Sequence, residues 1–112
     1  MVNNVTLTPR FERLYKRFLK KFTSLEKEID DLIANLTETP TLGESLGAGL
    51  YKIRLAVKSK GRGKSGGFRI VSYLITENES STDIFLLTIY DKSEDSNVDK
   101  ATLLDMVNEL SD

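Results

Sequence analysis

Apolar positions change their spacing several times along the chain, and each change marks an element. After NNVTL (residues 3–7), a short possible strand, Phe11, Leu14, Tyr15, Phe18, Leu19 and Phe22 recur every three or four residues. That spacing gathers them on one helix face. Thr8 is suited to cap the helix and Pro9 to open its first turn. Arg10, Arg13, Arg17, Lys20 and Lys21 fall on the opposite side. The aromatic stripe is expected in the core, and the basic face reads first as solvated surface. TSLEKEIDDLIANL (residues 23–36) repeats the pattern with Leu25, Ile29, Leu32, Ile33 and Leu36. Thr23 and Glu26 have the spacing of a capping box, and the short gap between the helices predicts an antiparallel pair. Pro40 and Gly43 end the second helix.

From residue 50 the period becomes two. In LYKIRLAV, Tyr51, Ile53, Leu55 and Val57 alternate with Lys52, Arg54, Ala56 and Lys58. The pattern predicts a half-buried strand with a basic exposed face. GFRIVSYLIT and DIFLLTIY are rich in β-branched and aromatic residues, and ENESST between them predicts a hairpin. In DSNVDKATLLDMVNEL, Ser96 is a candidate cap, and Leu103, Leu104, Val107 and Leu110 give a last helical face. The predicted order is β-α-α-β-β-β-α over residues 1–112. This is one α+β domain with a mostly antiparallel sheet, an N-terminal helix pair and a C-terminal helix.

The totals narrow the chemistry. The chain has no cysteine and no histidine. Disulfides, thiol nucleophiles, cysteine metal sites and histidine acid–base catalysis are excluded, and neither metal nor cofactor is expected. MVNNVTLTPRF lacks the basic start and apolar run of a signal peptide, and no segment has the length of a membrane span, so the cytoplasm is the expected compartment. Net charge is −1, but residues 1–76 carry 14 Lys and Arg against 7 Asp and Glu, and residues 77–112 carry 2 against 10. Two readings stand: the first part attracts a polyanion, or the two parts neutralise each other in the fold.

KSKGRGKSGGFRIV (residues 58–71) holds two nucleotide fingerprints. Gly61, Gly63 and Gly66 fit G-x-G-x-x-G, and Gly63-Lys64-Ser65 resembles the end of a P-loop. Context rejects both. A P-loop needs a glycine where Lys58 stands, and either motif must open a helix, whereas a strand follows here. A kinase-type glycine loop does lie between strands, but the chain is too short for a kinase. What remains is a basic loop, Lys58, Lys60, Arg62 and Lys64, joining antiparallel strands. Alone it reads as a solvated turn. Beside a strand bearing Lys52 and Arg54 it reads as a phosphate-binding surface, with Lys and Arg contacting the backbone of a nucleic acid.

LYKIRL, GKSGGFRIVSY and IFLLTIYDKSE together resemble the three central strands of the RelE/ParE toxin superfamily, most closely its RelE/HigB-like branch. The resemblance covers nearly the whole chain and implies a RelE-like fold. It implies a type II toxin–antitoxin module, with a cognate antitoxin as partner and operator DNA bound only through the toxin–antitoxin complex. It also implies a ribosome-dependent endonuclease that cuts mRNA in the A site by 2′-hydroxyl attack on the adjacent phosphate. By motif position Lys52 and Arg54 match the family's basic pair, Arg69 its central arginine and Lys92 a common basic position, with Tyr90 the nearest phenol. Arg69 is expected to stabilise the phosphate, Lys52, Arg54 and Lys92 to share that work, and Lys58, Lys60, Arg62 and Lys64 to hold the ribosomal or message backbone. A lysine with its pKa lowered by the cationic cluster is a candidate base. The sequence departs from some members after the last strand, where Ser93 and Glu94 follow Lys92 instead of a further basic residue and a downstream Tyr. The same resemblance leaves two alternatives: a ParE-like gyrase inhibitor, and an inactive toxin fold that only binds its antitoxin. A structural Arg69 paired with Asp105 or Glu109 of the last helix is the alternative at that residue.

Overall fold

A computed structural model of the chain describes residues 2–60 and 67–110. The order is β1 (Val2–Leu7), α1 (Pro9–Leu19), α2 (Leu25–Glu38), β2 (Glu44–Gly47), β3 (Leu50–Leu55), β4 (Phe68–Asn78), β5 (Ser81–Asp91) and α3 (Lys100–Glu109). Two 3₁₀ turns, Lys58–Lys60 and Lys92–Asn97, follow β3 and β5. The expected order is present with one strand added. β2 escapes the sequence because ESLG is short, mostly exposed and does not alternate.

The five strands lie in the order β1-β5-β4-β3-β2. Among the described strands only β1 and β5 run parallel; the other pairings are antiparallel. The sheet is covered on both faces. On one, Ile53, Phe68, Ile70, Ile84, Leu86 and Ile89 pack with Phe11 of α1 and with Leu25, Ile29, Leu32 and Leu36 of α2. The ring of Phe68 sits against Phe18 and Phe22, with centroids 4.6 and 5.3 Å away, so the predicted aromatic stripe is core. On the other face Leu50, Val71, Leu87 and Tyr90 meet Leu103, with Met106, Val107 and Leu110 partly buried beside them. Leu104, placed by its spacing on that inner face, is exposed instead. None of the described helices is long and apolar enough to cross a membrane.

The helix starts show how local chemistry decides boundaries. Thr8 caps α1 as expected: its hydroxyl accepts from Phe11 N at 3.2 Å and donates to the Leu86 carbonyl at 2.8 Å, tying the helix to β5. The Thr23–Glu26 capping box does not form. Ser24 holds the N-cap position of α2, but its hydroxyl caps no backbone N–H and donates to Glu28 Oε1 at 3.0 Å. Ser96 does not cap α3 either, because residues 92–97 are spent in the 3₁₀ turn; the cap is Asp99, which accepts from Thr102 N at 2.9 Å.

Candidate functional site

The register of the sheet lines up the candidate site side chains in a row. Arg54 of β3 stands opposite Arg69 of β4, and Arg69 stands opposite Tyr90 of β5. Opposed residues share a face, so all three project toward the α3 side. Lys52, two residues before Arg54, lies on the same face one row along. The alternation read from LYKIRL therefore holds. It stops at Leu55: Lys58 lies beyond the strand in the first 3₁₀ turn and not on the basic row, and it is exposed.

At the end of β5 the second 3₁₀ turn folds back over this row and delivers Asp95. Its Oδ1 accepts from Lys52 Nζ at 3.0 Å and from the Tyr90 hydroxyl at 2.8 Å, while its Oδ2 lies 3.6 Å from Arg69 Nε. One carboxylate thus gathers an ammonium, a phenol and a guanidinium from three adjacent strands. Arg69 is buried, only 3% exposed, and also donates to the Phe68 carbonyl at 3.4 Å. The acid near Arg69 sits in this turn at Asp95, not at Asp105 or Glu109 of the last helix. Glu109 is instead the partner of Arg10 at 2.9 Å.

These contacts set the charges. Burial pushes the Asp95 carboxyl upward, but the hydrogen bonds from Tyr90 and Lys52 and the charges of Lys52 and Arg69 outweigh it, so it titrates below the ordinary range. Burial, and then the hydrogen bond to Asp95 and its negative charge, push the Tyr90 phenol far upward, opposed only by Arg69. Tyr90 at neutral pH is therefore a hydrogen-bond donor, not a base. Lys52, one of the lysines of the basic cluster, is paired with this carboxylate.

Of the other residues singled out in the sequence, Arg54 is exposed at the end of the row, where Gly43, Glu44, Lys52 and Arg54 line a shallow depression of about 330 Å³. Lys92 is exposed at the start of the second 3₁₀ turn, and its backbone N–H donates to the Gly67 carbonyl at 3.1 Å. Lys60, expected as an open loop cation, has a side chain only 15% exposed: its Nζ meets Asp91 Oδ2 at 2.5 Å and lies 5.1 Å from the centre of the Phe68 ring. Lys58 N donates to Glu28 Oε2 at 2.8 Å and Ser59 N to Ser24 Oγ at 3.0 Å, which moors the start of the basic loop to α2. Arg62 and Lys64, with Gly61, Gly63 and Gly66, lie outside the described residues.

Asp95 is the member of this cluster that sequence reasoning missed. An acid in KSEDSN reads as one more solvated charge. The available signal was its place: five residues after Tyr90, just past the strand that completes the basic row.

The fold has a solved counterpart. A double arginine-to-alanine mutant of the Escherichia coli toxin RelE in the free state superposes with a TM-score of 0.60 at 19% identity, covering 87% of this chain and 90% of that one. At that identity the likeness speaks for the fold alone. The sequence itself matches the family described as the RelE toxin of the RelE/RelB toxin–antitoxin system over residues 10–111, which takes in both 3₁₀ turns, the whole basic row and all of α3. By that match the chain belongs to the RelE toxin family and is a toxin of a toxin–antitoxin system.

Proposed function

We propose that this toxin is a ribosome-dependent mRNA endonuclease of the RelE/HigB type, acting in the cytoplasm on translated message in the A site. The observation that carries the reading is the convergence of Lys52, Arg69 and Tyr90 on one anion, with Arg54 beside them. In the reaction the 2′-hydroxyl of the message attacks the adjacent phosphorus and loses its proton. The bond to the 5′ oxygen breaks, leaving a cyclic phosphate on one fragment and a 5′-hydroxyl on the other. Negative charge builds on the non-bridging oxygens in the transition state. Arg69 offers them a planar donor pair, Lys52 and Arg54 add positive charge, and Tyr90 donates a hydrogen bond, which together make an oxyanion-stabilising site. Lys92, exposed nearby, holds message phosphate, and Lys58, Arg62 and Lys64 serve the ribosomal or message backbone, while Lys60 is held by Asp91. With no histidine, alignment of the 2′-hydroxyl carries much of the rate, and the ribosome supplies that alignment. The cognate antitoxin restrains the toxin, and operator DNA is reached only through their complex.

Induction without the antitoxin, followed by mapping of RNA ends, tests this. Growth should arrest, with new 5′ ends inside translated messages, and purified protein should barely cut naked RNA. Intact messages with inhibited DNA supercoiling would support the gyrase-inhibitor reading. Intact messages with normal growth would leave an inactive, antitoxin-binding toxin fold.

A further inference from the structure

Lys52, Arg69 and Tyr90 come from β3, β4 and β5, yet the anion they share belongs to none of these strands. The Lys52 and Arg69 side chains are largely out of water, 22% and 4% exposed. Desolvated cations need a partner anion, and in the free protein Asp95 supplies much of that charge. A carboxylate offers donors what the non-bridging edge of a phosphodiester offers: two oxygens sharing one negative charge. The mount of Asp95 differs from that of its donors. Lys52, Arg69 and Tyr90 stand on paired strands. Asp95 stands on a short 3₁₀ turn with its carboxylate one-third exposed. Other hydrogen bonds of that turn are largely local: Asp91 Oδ1 accepts from Ser93 N, Asn97 donates to Glu94 and Val98 N donates to the Asp95 carbonyl. Rotation of one side chain toward solvent removes the anion without disturbing the sheet.

We propose that Asp95 is an internal stand-in for a phosphodiester: it fills an anion site made by Lys52, Arg69 and Tyr90 in the free protein, and a bound phosphodiester displaces it. The proposal rests on the phosphodiester-cleaving reading of this row. It adds that the site is built for an anion, held in shape by a residue of the same chain, and occluded until a substrate competes. Free phosphodiesters bind weakly because only the fraction of molecules with Asp95 swung out is competent. A message held in place by a larger particle brings the local concentration needed to displace it.

The test uses a 2′-deoxy dinucleoside monophosphate, which carries one phosphodiester and has no 2′-hydroxyl to attack it. Its affinity for the full chain is measured by NMR on the backbone amide signals of residues 52, 69 and 90, for the wild type, for Asp95→Asn and for Asp95→Asn with Arg69→Lys. Asp95→Asn should bind about tenfold or more tightly, and adding Arg69→Lys should erase most of the gain. In the wild type, saturating probe should move the Asp95 carboxyl titration, followed by its carbon shift, up toward the ordinary aspartate value. Equal or weaker binding by Asp95→Asn, or no binding to either protein, overturns the proposal. So does an Asp95 titration that saturating probe leaves unmoved, and this wild-type measurement decides alone if Asp95→Asn does not fold. None of these readouts involves cleavage, so intact message after induction would sink the nuclease reading without altering them.

Discussion

Arg69 carries two roles that a single substitution separates. Its guanidinium is buried against Asp95 and the Phe68 carbonyl, so truncation leaves a buried acceptor short of a donor and removes one of the cations that answer Asp95. Arg69→Ala should therefore cost about 1–3 kcal/mol and lower Tm by several degrees. A cluster of cations alone would instead have gained from losing one of its charges; Asp95 reverses that sign. In the proposed reaction Arg69→Ala should also abolish toxicity, since loss of one charge-stabilising donor costs on the order of 100-fold in rate, and Arg69→Lys should leave only a small remainder because the fork is lost. Circular dichroism melts beside a growth-arrest assay, at a temperature where each variant is folded, distinguish the roles: toxicity surviving in folded Arg69→Ala would make the residue purely structural. Acid stability follows from the neighbouring carboxylates. Burial raises both Asp91 and Asp95, but hydrogen bonds and charges from Lys60 and Ser93 in one case, and from Tyr90, Lys52 and Arg69 in the other, leave both depressed. A depressed folded pKa gives stability that is complete above the unfolded value, about 3.9, and is lost as pH falls through the folded value. Tm should be flat between about pH 5 and 7 and fall below about pH 4, and Asp95→Asn should lower the plateau and flatten the acid decline. An unchanged acid limb in Asp95→Asn would show that its contacts do not persist in solution.

At the scale of elements, the glycine-rich stretch before β4 has a packing role as well as a basic one. A Cβ on Gly67 would lie 2.0 Å from the Leu55 carbonyl oxygen, a backbone atom that cannot step aside, and the Gly67 carbonyl also receives the Lys92 N–H. Gly67→Ala should therefore push the end of β3 away from the start of β4, next to the Leu55–Phe68 pair that adjoins Arg54 and Arg69. We expect a loss of at least about 1–3 kcal/mol, read as a lowered Tm or as insoluble protein; a variant as stable as the wild type would mean the strands relax freely there. The helices and the hairpin were legible in the sequence because their apolar faces are continuous: Phe11 to Phe22 at helical spacing, Ile53 and Leu55 at strand spacing. The starts of α2 and α3 were not, because Ser24, Thr23, Ser96 and Asp99 are all chemically able to cap, and tertiary partners choose among them. Half of the site was legible for the same reason. A strand's alternation assigns Lys52 and Arg54 to one face without any knowledge of the fold. Asp95 was not, since its place over the row depends on a 3₁₀ turn reversing the chain after β5, and a turn has no period to read.

For the whole molecule the charge asymmetry divides between ion pairs inside the fold and cations on its surface. Among the described residues, acids of the C-terminal part answer cations of the basic part in three places: Asp91 with Lys60, Asp95 with Lys52 and Arg69, and Glu109 with Arg10. Other cations stay on the surface. Arg13, Lys16, Arg17 and Lys20 lie exposed on or beside α1, and Arg54, Lys58 and Lys92 are exposed around the row. This division separates two consequences of charge that the sequence alone runs together. Lys60 belongs to the fold, so Lys60→Ala should lower Tm by breaking its pair with Asp91 and uncovering the Phe68 ring. In the proposed function Lys58, Arg62 and Lys64 serve binding, so neutralising those three together should leave Tm unchanged and weaken association with ribosomes. Each phosphate contact contributes about 0.7–0.9 to the slope of log affinity against log salt, so losing all three should flatten that slope by about 2. The measurement is binding to purified ribosomes across salt concentrations, with melts of the same variants. A flattened slope with an unchanged Tm marks the loop as a phosphate-contacting surface. An unchanged slope marks it as solvated chain joining two strands, and leaves recognition of the ribosome to α1 and the basic row.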